Sequence, residues 1–446
     1  MKPRYESWGR YPQAEAVEVV QPATPADIPL LRDFPHCVLA YGLGRSYGDS
    51  CLNNNGILLD TTRLAALRDF DRQRGIIRCE AGFSLADLLT TALPDGWFPP
   101  VLPGTKFVTV GGAIANDIHG KNHHRAGTFG CHVPQFELLR SDGRRLPCSR
   151  EQNPDLYEAT IGGLGLTGLI LWADIQLKPV RSGWIDAEYI RFDSLDAFFE
   201  LSEISDLNFE YTVAWIDCMA KGEKLGRGIF TRGNHAAPGL KKSIPSRAGG
   251  RLNFPGNAPD FLLNSFTVKI FNQLYYHKER LKKQRAIVPY ESFFFPLDAI
   301  RNWNRIYGKR GFFQYQCVVP FADGHEAIRQ ILTRIARSGN ASFLGVLKTF
   351  GRIASPGMLS FPRPGVTLAL DFANLGEKTL RLFDDLDAIV YSVGGALYPC
   401  KDARMPHEMF AGSFPRLDRF RPYIDPQFSS SFWRRVMAET DRGCKK

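Results

Sequence analysis

Between residues 37 and 179 short apolar, β-branched runs alternate with glycine-rich turns, a pattern of strands joined by tight connections. The runs Cys37–Tyr41, Ile57–Asp60, Ile76–Cys79, Phe136–Leu139 and Leu169–Leu177 predict strands. Ser84–Leu93, with Ser84 and Asp87 in capping-box relation, and the small-residue run Val110–Asn116 predict helices between them. Beyond Pro179 the apolar runs lengthen and become aromatic. Ser194–Leu201 and His325–Ser338 carry a helical period there, and Phe312–Pro320 and Val366–Phe372 read as strands. Gly233–Pro259 holds four prolines and five glycines among basic residues, which predicts a mobile excursion serving as a lid. The end of the chain, with YPCKDAR from Tyr398 and a helix-like tail around Phe432, Trp433 and Arg434, is too short for a third domain and must pack back. The expectation is an α+β fold with domains at 1–182 and 183–395 and a segment 396–446 returning to the first.

At 446 residues the chain exceeds one ordinary core, and 44% hydrophobic content can fill two. The net charge of +10 suits nucleic acid, an anionic membrane or a phosphorylated substrate. No zinc-finger, RNP or basic-helix pattern accompanies it, so nucleic acid is not an expected partner. The basic residues are dispersed except in the run His277–Arg285, HKERLKKQR. That run reads as a solvated helix face or as attraction to anionic lipid, with Leu274, Tyr275 and Tyr276 at a headgroup boundary. Nine cysteines without CxxC pairs read as mostly buried thiols in a reduced compartment. Residues 1–18 lack the apolar stretch of a secretory signal and no run of eighteen apolar residues occurs, so the expectation is a cytoplasmic protein with at most peripheral contact to the inner membrane face.

Four small-residue clusters carry the candidate chemistry. GLGRSYGD, from Gly42 to Asp49, follows a predicted strand, and its glycines let backbone N–H groups close around an anion. Pro103-Gly104-Thr105 with Val108–Ala115 (VTVGGAIA) opens a predicted helix, whose free N–H groups and dipole would favour a diphosphate. A Rossmann site is disfavoured, because the glycines fall in two clusters some sixty residues apart. Asp117–His124 (DIHGKNHH) places three histidines within six residues. It lacks the cysteine or carboxylate partners a zinc site needs, so no metal is expected, and His119 and Lys121 are read as pointing into a cavity. Gly162–Gly168 (GGLGLTG) precedes a predicted strand. Taken singly, each of these could be a structural turn.

Together they resemble the FAD-binding domain of the vanillyl-alcohol-oxidase and p-cresol-methylhydroxylase (PCMH) superfamily, and more closely its polyprenylphosphoryl-ribose oxidase branch. The likeness extends through Ala214–Asp217, Phe313–Gln316, Leu347-Lys348, Leu359–Pro362, Leu397-Tyr398 and Lys401-Asp402. It implies a two-domain PCMH-type FAD-binding fold with an antiparallel-sheet substrate domain. FAD would be held by Gly42, Gly44, Arg45, Ser46, Tyr47, Gly104, Thr105, Gly111, Gly112, Asn116, Ile118, Gly120, Ile170 and Tyr398. The sugar would be held by Lys121, Trp215, Gln314, Gln316, Lys348 and Tyr398, with Lys401, Tyr47 and His119 as candidates for the acid–base role. In covalent members a histidine of the first loop or a cysteine near the second tethers the flavin. Here Arg45 occupies the first position and no cysteine neighbours Val110–Gly112, so dissociable FAD is expected. Ala369 and Thr367 stand where the family presents a cysteine and an asparagine, which leaves the preferred sugar open. The implied activity is oxidation of the 2-hydroxyl of a polyprenylphosphoryl ribose, with an NAD(P)H-dependent short-chain reductase as partner completing epimerisation to arabinose. Oxidation of a soluble sugar or aldonolactone, and a non-catalytic binding protein keeping the fold, are the alternatives.

Overall fold

The computed structural model describes residues 5–239, 252–259, 262–278 and 283–437. Val38–Tyr41 and Ile57–Asp60 are apolar on both faces and nearly all buried, as parallel strands are. They pair in parallel, with Glu18–Val20 on the far side of Ile57–Asp60. A five-stranded antiparallel sheet follows, in the order Leu67–Asp71, Ile76–Glu80, Leu169–Gln176, Gln135–Leu139 and Arg145–Ser149. Its inner residues Ile77, Phe136, Leu138, Ala173 and Ile175 pack on the helices Leu85–Ala92 and Val110–Ala115. The Ser84 hydroxyl caps the first of these helices by accepting from Asp87 N.

The second half forms an eight-stranded antiparallel sheet. Its order is Lys283–Pro289, Trp184–Phe192, Gly228–His235, Tyr211–Ile216, Gly345–Phe350, Gly365–Ala373, Phe312–Val319 and Ala396–Leu397. Side chains alternate strictly between its faces. Phe313, Tyr315, Cys317, Leu347, Leu368 and Leu370 meet Phe198, Ile328, Ile331, Leu332, Leu382 and Leu386 of the helices Leu195–Asn208, Phe321–Ser338 and Glu377–Ser392. The residues between them, Gln314, Gln316, Lys348, Thr367 and Ala369, face the other way and line a cavity shared with the first half of the chain. Register brings them side by side, with Gln316 opposite Ala369 and Lys348 opposite Thr367.

After Ala396–Leu397 the chain returns to the amino-terminal sheets. Gln427 O accepts from Val38 N at 2.8 Å, and the Asp425 carboxylate accepts from Ser141 N at 2.9 Å and pairs with Arg140. Phe432 and Trp433 join the helix-covered core.

Several expectations change. Helix Leu195–Asn208 outruns its predicted end because Ile204 and Leu207 are exposed and spoil the amphipathic period. The helix at 325 begins at Phe321, also exposed. The run 277–285 is no single helix face: the helix Ser265–Lys278 ends there, and Lys283 and Arg285 sit on an edge strand, paired with Glu188 and Asp186. Of the expected lid, Gly233–His235 completes a strand and Leu252–Asn253 pairs with Ile300–Arg301, while 240–251 lie outside the described residues. Cys79, Cys148, Cys218, Cys317 and Cys400 are buried free thiols, whereas Cys37 is disulfide-bonded.

Arg435 fastens the carboxy-terminal segment, with Nε and Nη2 on the two oxygens of Asp49 at 2.9 and 2.8 Å and Nη2 on Asp402 at 3.0 Å. Asp49 is 2% exposed, so removing the guanidinium leaves a buried charge without its partner. Arg435→Ala is expected to lose about 3 kcal/mol of stability in urea titration. A loss below about 0.5 kcal/mol would show that the pair is solvated like a surface bridge.

Candidate active site

A cavity of about 950 Å³ lies between the amino-terminal loops and the inner face of the eight-stranded sheet. Every residue expected to hold the cofactor or the sugar or to act as acid or base lines it, from Gly42 in the first loop, through Ile170 at the start of a central strand, to Lys401.

The first loop is a cradle of unused donors. Among the described residues the N–H groups of Leu43, Gly44, Arg45 and Ser46 have no acceptor, while Tyr47 N is tied to Cys400 O at 2.8 Å. The Arg45 guanidinium stacks 4.2 Å from the Trp8 ring and donates to Leu43 O at 3.2 Å, which fixes the loop's outer wall. The second cluster behaves otherwise than expected. The N–H groups of Val110, Gly111, Gly112 and Ala113 are already taken by Phe83 O, Ala81 O, Thr109 Oγ1 and Thr109 O, so that helix start offers no free donors to a diphosphate. Its contribution is space. Gly104 lies at the cavity's edge, where a Cβ would meet no atom within 4 Å. Open backbone donors on one side and a wall without side chains on the other fit a dinucleotide with a flat ring system.

The opposite wall is cationic. Lys348 is buried, and Lys121 and Lys401 are enclosed except where they meet the cavity. None of the three makes an ion pair among the described residues. Lys121 Nζ donates to Phe293 O, and Lys401 Nζ sits 3.8 Å from the centre of the Tyr47 ring. Desolvation pushes Lys121 down to about 7 and, with Lys121 and Lys401 nearby, Lys348 down to about 7. Lys401 is lowered by the same cause, partly offset by Cys400 and Asp371.

His119 is the hub of this wall. Gln316 Nε2 lies 3.0 Å from His119 Nε2 and 3.4 Å from Thr367 Oγ1, whose hydroxyl donates to Cys317 O at 2.8 Å. As placed, the amide donates to both. The other ring nitrogen, Nδ1, faces Lys348 Nζ at 3.0 Å, and Lys348 donates to Gly120 O at 3.0 Å. Desolvation and then Lys348 hold His119 well below the usual imidazole range. Its ring packs against Phe350 and Tyr398, and Tyr398, stacked on Phe361 at 4.5 Å, donates to Asn116 O at 2.9 Å. His123 and His124 turn elsewhere: Nδ1 of His123 accepts from Gly351 N, and Nε2 of His124 bonds Phe209 O.

Residues 18–149 match the family model for an FAD binding domain. Over 90% of its length the chain is 40% identical to the decaprenylphosphoryl-β-D-ribose oxidase of Mycolicibacterium smegmatis, covering 89% of that protein. The chain belongs to the decaprenylphosphoryl-β-D-ribose oxidase family. An uncharacterised Streptomyces coelicolor protein is 34% identical over 79% of this chain and 99% of its own length. More remotely, cytokinin dehydrogenase 6 of Oryza sativa is 29% identical over 46% of this chain and 42% of its own length. This member of the decaprenylphosphoryl-ribose oxidase family is an FAD-dependent oxidoreductase with the PCMH-type α+β fold, and the reading as a non-catalytic protein is withdrawn.

Sequence reasoning missed several lining residues. Phe293 and Phe294 come from the aromatic run after Glu291, and Phe271 and Tyr275 from a helix it did not predict. It also missed Asp371, although period-two spacing from Thr367 and Ala369 points to it. Its Oδ1 accepts from Gln314 Nε2 at 2.5 Å, and its Oδ2 has no partner among the described residues. Desolvation pushes the Asp371 carboxyl up to about 7, against the opposing influence of Gln314 and Lys401. The folded chain thus keeps a proton that the unfolded chain releases above about pH 4. The associated stability is fully present below that pH and is lost as pH rises through about 7, by an amount of order 4 kcal/mol. Asp371→Asn, nearly isosteric, is expected to melt higher than the parent at pH 8 and to converge with it near pH 4 in scanning calorimetry. A melting difference independent of pH would mean that Asp371 stays ionised throughout.

Proposed function

We propose that the chain oxidises the 2-hydroxyl of a polyprenylphosphoryl-β-D-ribose to the 2-keto sugar, the first half of a 2'-epimerisation to arabinose. A separate NAD(P)H-dependent short-chain reductase would supply the second half. The observation that carries this reading is the group of three lysines, Lys121, Lys348 and Lys401, enclosed in one cavity with no ion-pair partner among the described residues. Uncompensated cations in a desolvated wall call for an anionic ligand, and a phosphodiester next to a sugar supplies one. Gln314, Gln316 and the Trp215 ring add amides and an aromatic face suited to a pentose. The name of the mycobacterial relative agrees with this chemistry.

In this reading residues 1–182 hold the cofactor and 183–395 the sugar, and the segment from 396 supplies Tyr398 and Lys401. FAD, bound along Gly42–Tyr47, Gly104-Thr105 and the wall from Gly111 to Gly120, supplies the two-electron acceptor. The tether is non-covalent. Arg45 fills the first-loop position, and the cavity thiols are poor nucleophiles, because desolvation raises Cys400 and pushes Cys51 up to about 12.

As the carbinol becomes a carbonyl, its hydroxyl proton must pass to a base. Of the three candidates Lys401 ranks first. Tyr47 is held protonated by desolvation, which raises its phenol well above the ordinary value, and so has no site for the proton. His119 is engaged at both nitrogens and resists protonation. Lys401 has a pKa lowered by desolvation, with Cys400 and Asp371 opposing the shift and the Tyr47 ring as its near neighbour, so a neutral amine is attainable there.

Anaerobic mixing of the yellow holoenzyme with polyprenylphosphoryl ribose, followed by loss of flavin absorbance, tests the reading. Lys401→Ala is expected to stay FAD-loaded yet bleach at least about 100-fold more slowly, and Lys401→Arg, which cannot release its proton, equally slowly. Bleaching at the parent rate in Lys401→Ala would remove Lys401 from the chemistry. Faster bleaching with lipid-free sugars or aldonolactones would overturn the substrate assignment.

A further inference from the structure

Helix Ser265–Lys278 lies on the molecule with its polarity reversed. Its inner face, at a spacing of four, consists of Val268, Asn272 and Tyr276. Asn272 Nδ2 donates to Asp217 at 3.0 Å and to Ser342 O at 3.2 Å, and the Tyr276 hydroxyl donates to Asp193. Tyr276 is therefore an anchor, not the surface residue expected from the sequence. The outer face carries Phe266 (71% exposed), Leu274 (69%), Ile270 and Phe271 (both 44%). A folded surface rarely leaves such a stripe to water without a use for it.

The same helix forms part of the cavity wall. Phe271 and Tyr275 line it, and Tyr275 packs on Trp215 with ring centres 4.7 Å apart. The stripe thus runs without a break from the surface to the opening. Its charged residues are cationic: Lys269 and Lys278 are exposed on the helix, which contains no aspartate or glutamate, and Arg301 is exposed where the strand Ile300–Arg301 lines the cavity. Phenylalanine and leucine facing outward between lysines match the chemistry of an anionic bilayer surface, with apolar side chains below the headgroups and ammonium groups among the phosphates. Among the described residues no helix is long and apolar enough to cross a membrane, so the contact is one of surface attachment.

We infer that the outer face of helix Ser265–Lys278 docks on an anionic lipid bilayer and holds the cavity opening against it. This rests on the lipid-linked substrate proposed above: the sugar and phosphate enter the cavity while the polyprenyl chain leaves along Phe271 and Tyr275 into the membrane.

The test uses holoenzyme and vesicles without substrate. Co-sedimentation is expected with phosphatidylglycerol-containing vesicles, at least about tenfold stronger than with phosphatidylcholine alone and weakened by salt. Phe266→Asp with Leu274→Asp should cut vesicle binding by about tenfold or more, leaving flavin content and turnover of a short-chain, water-soluble prenylphosphoryl ribose unchanged. A Lys269→Glu, Lys278→Glu variant, which keeps the apolar stripe, should lose the preference for anionic vesicles. Vesicle binding that is absent, or insensitive to these substitutions, overturns the proposal. So does a dimer in sedimentation velocity that the Phe266 and Leu274 substitutions dissociate, since the face would then be covered by a second copy. The two readings fail separately: turnover of the lipid-linked ribose without vesicle binding sinks the docking surface alone, whereas vesicle binding without any turnover of that sugar sinks the substrate assignment.

Discussion

Positive charge enclosed with no counter-ion among the described residues is the constraint from which the rest of the site follows. Moving an ammonium group out of water is costly, and a protein normally repays that cost with a carboxylate or keeps the group at the surface. Here Lys121, Lys348 and Lys401 instead find a carbonyl, an imidazole and an aromatic face, none of which neutralises them. The charge remains available, and the amines lie near the point of giving up their protons. On the proposed reading one feature serves two ends: an anionic group is drawn in, and an amine able to accept a proton stands beside it. Asp371 sets the limit on this arrangement, because a fully ionised carboxylate next to Lys401 would restore the ordinary lysine.

The scaffold makes that enclosure possible through the alternation of an antiparallel sheet. Leu347, Leu368 and Leu370 secure the strands to the helices, and the residues between them are thereby forced toward the cavity. Position along these strands, more than side-chain preference, decides what is core and what is site. A one-residue slip of Gly345–Phe350 would exchange Lys348 with Leu347 and abolish both.

The amino-terminal loops were legible because their glycine clusters are contiguous and chemically unusual. Their division of labour was not. Whether the N–H groups at Val110–Gly112 are free depends on Phe83 O and Ala81 O, which belong to a distant turn. Lys348 and Lys401 carry no local signal, and only likeness to a family marked them. The strands Trp184–Phe192, Tyr211–Ile216 and Gly228–His235 went unread because they mix polar and aromatic residues, one face meeting helices and the other a cavity. Helix Ser265–Lys278 escaped for the opposite reason: its apolar face looks outward, so the amphipathic rule that finds helices points the wrong way.

The close fit between the first loop and the chain near its end has a consequence for synthesis. Tyr47 N bonds Cys400 O, and a Cβ at Gly48 would lie 1.7 Å from Asp402 O, so this loop is moulded on residues made some 350 positions later. On the ribosome the amino-terminal sheets can form early, but their dinucleotide cradle cannot take its final shape until nearly the whole polypeptide has emerged. On the proposed reading, completion of the cofactor cradle and of the reactive wall therefore belongs to the last moments of biogenesis.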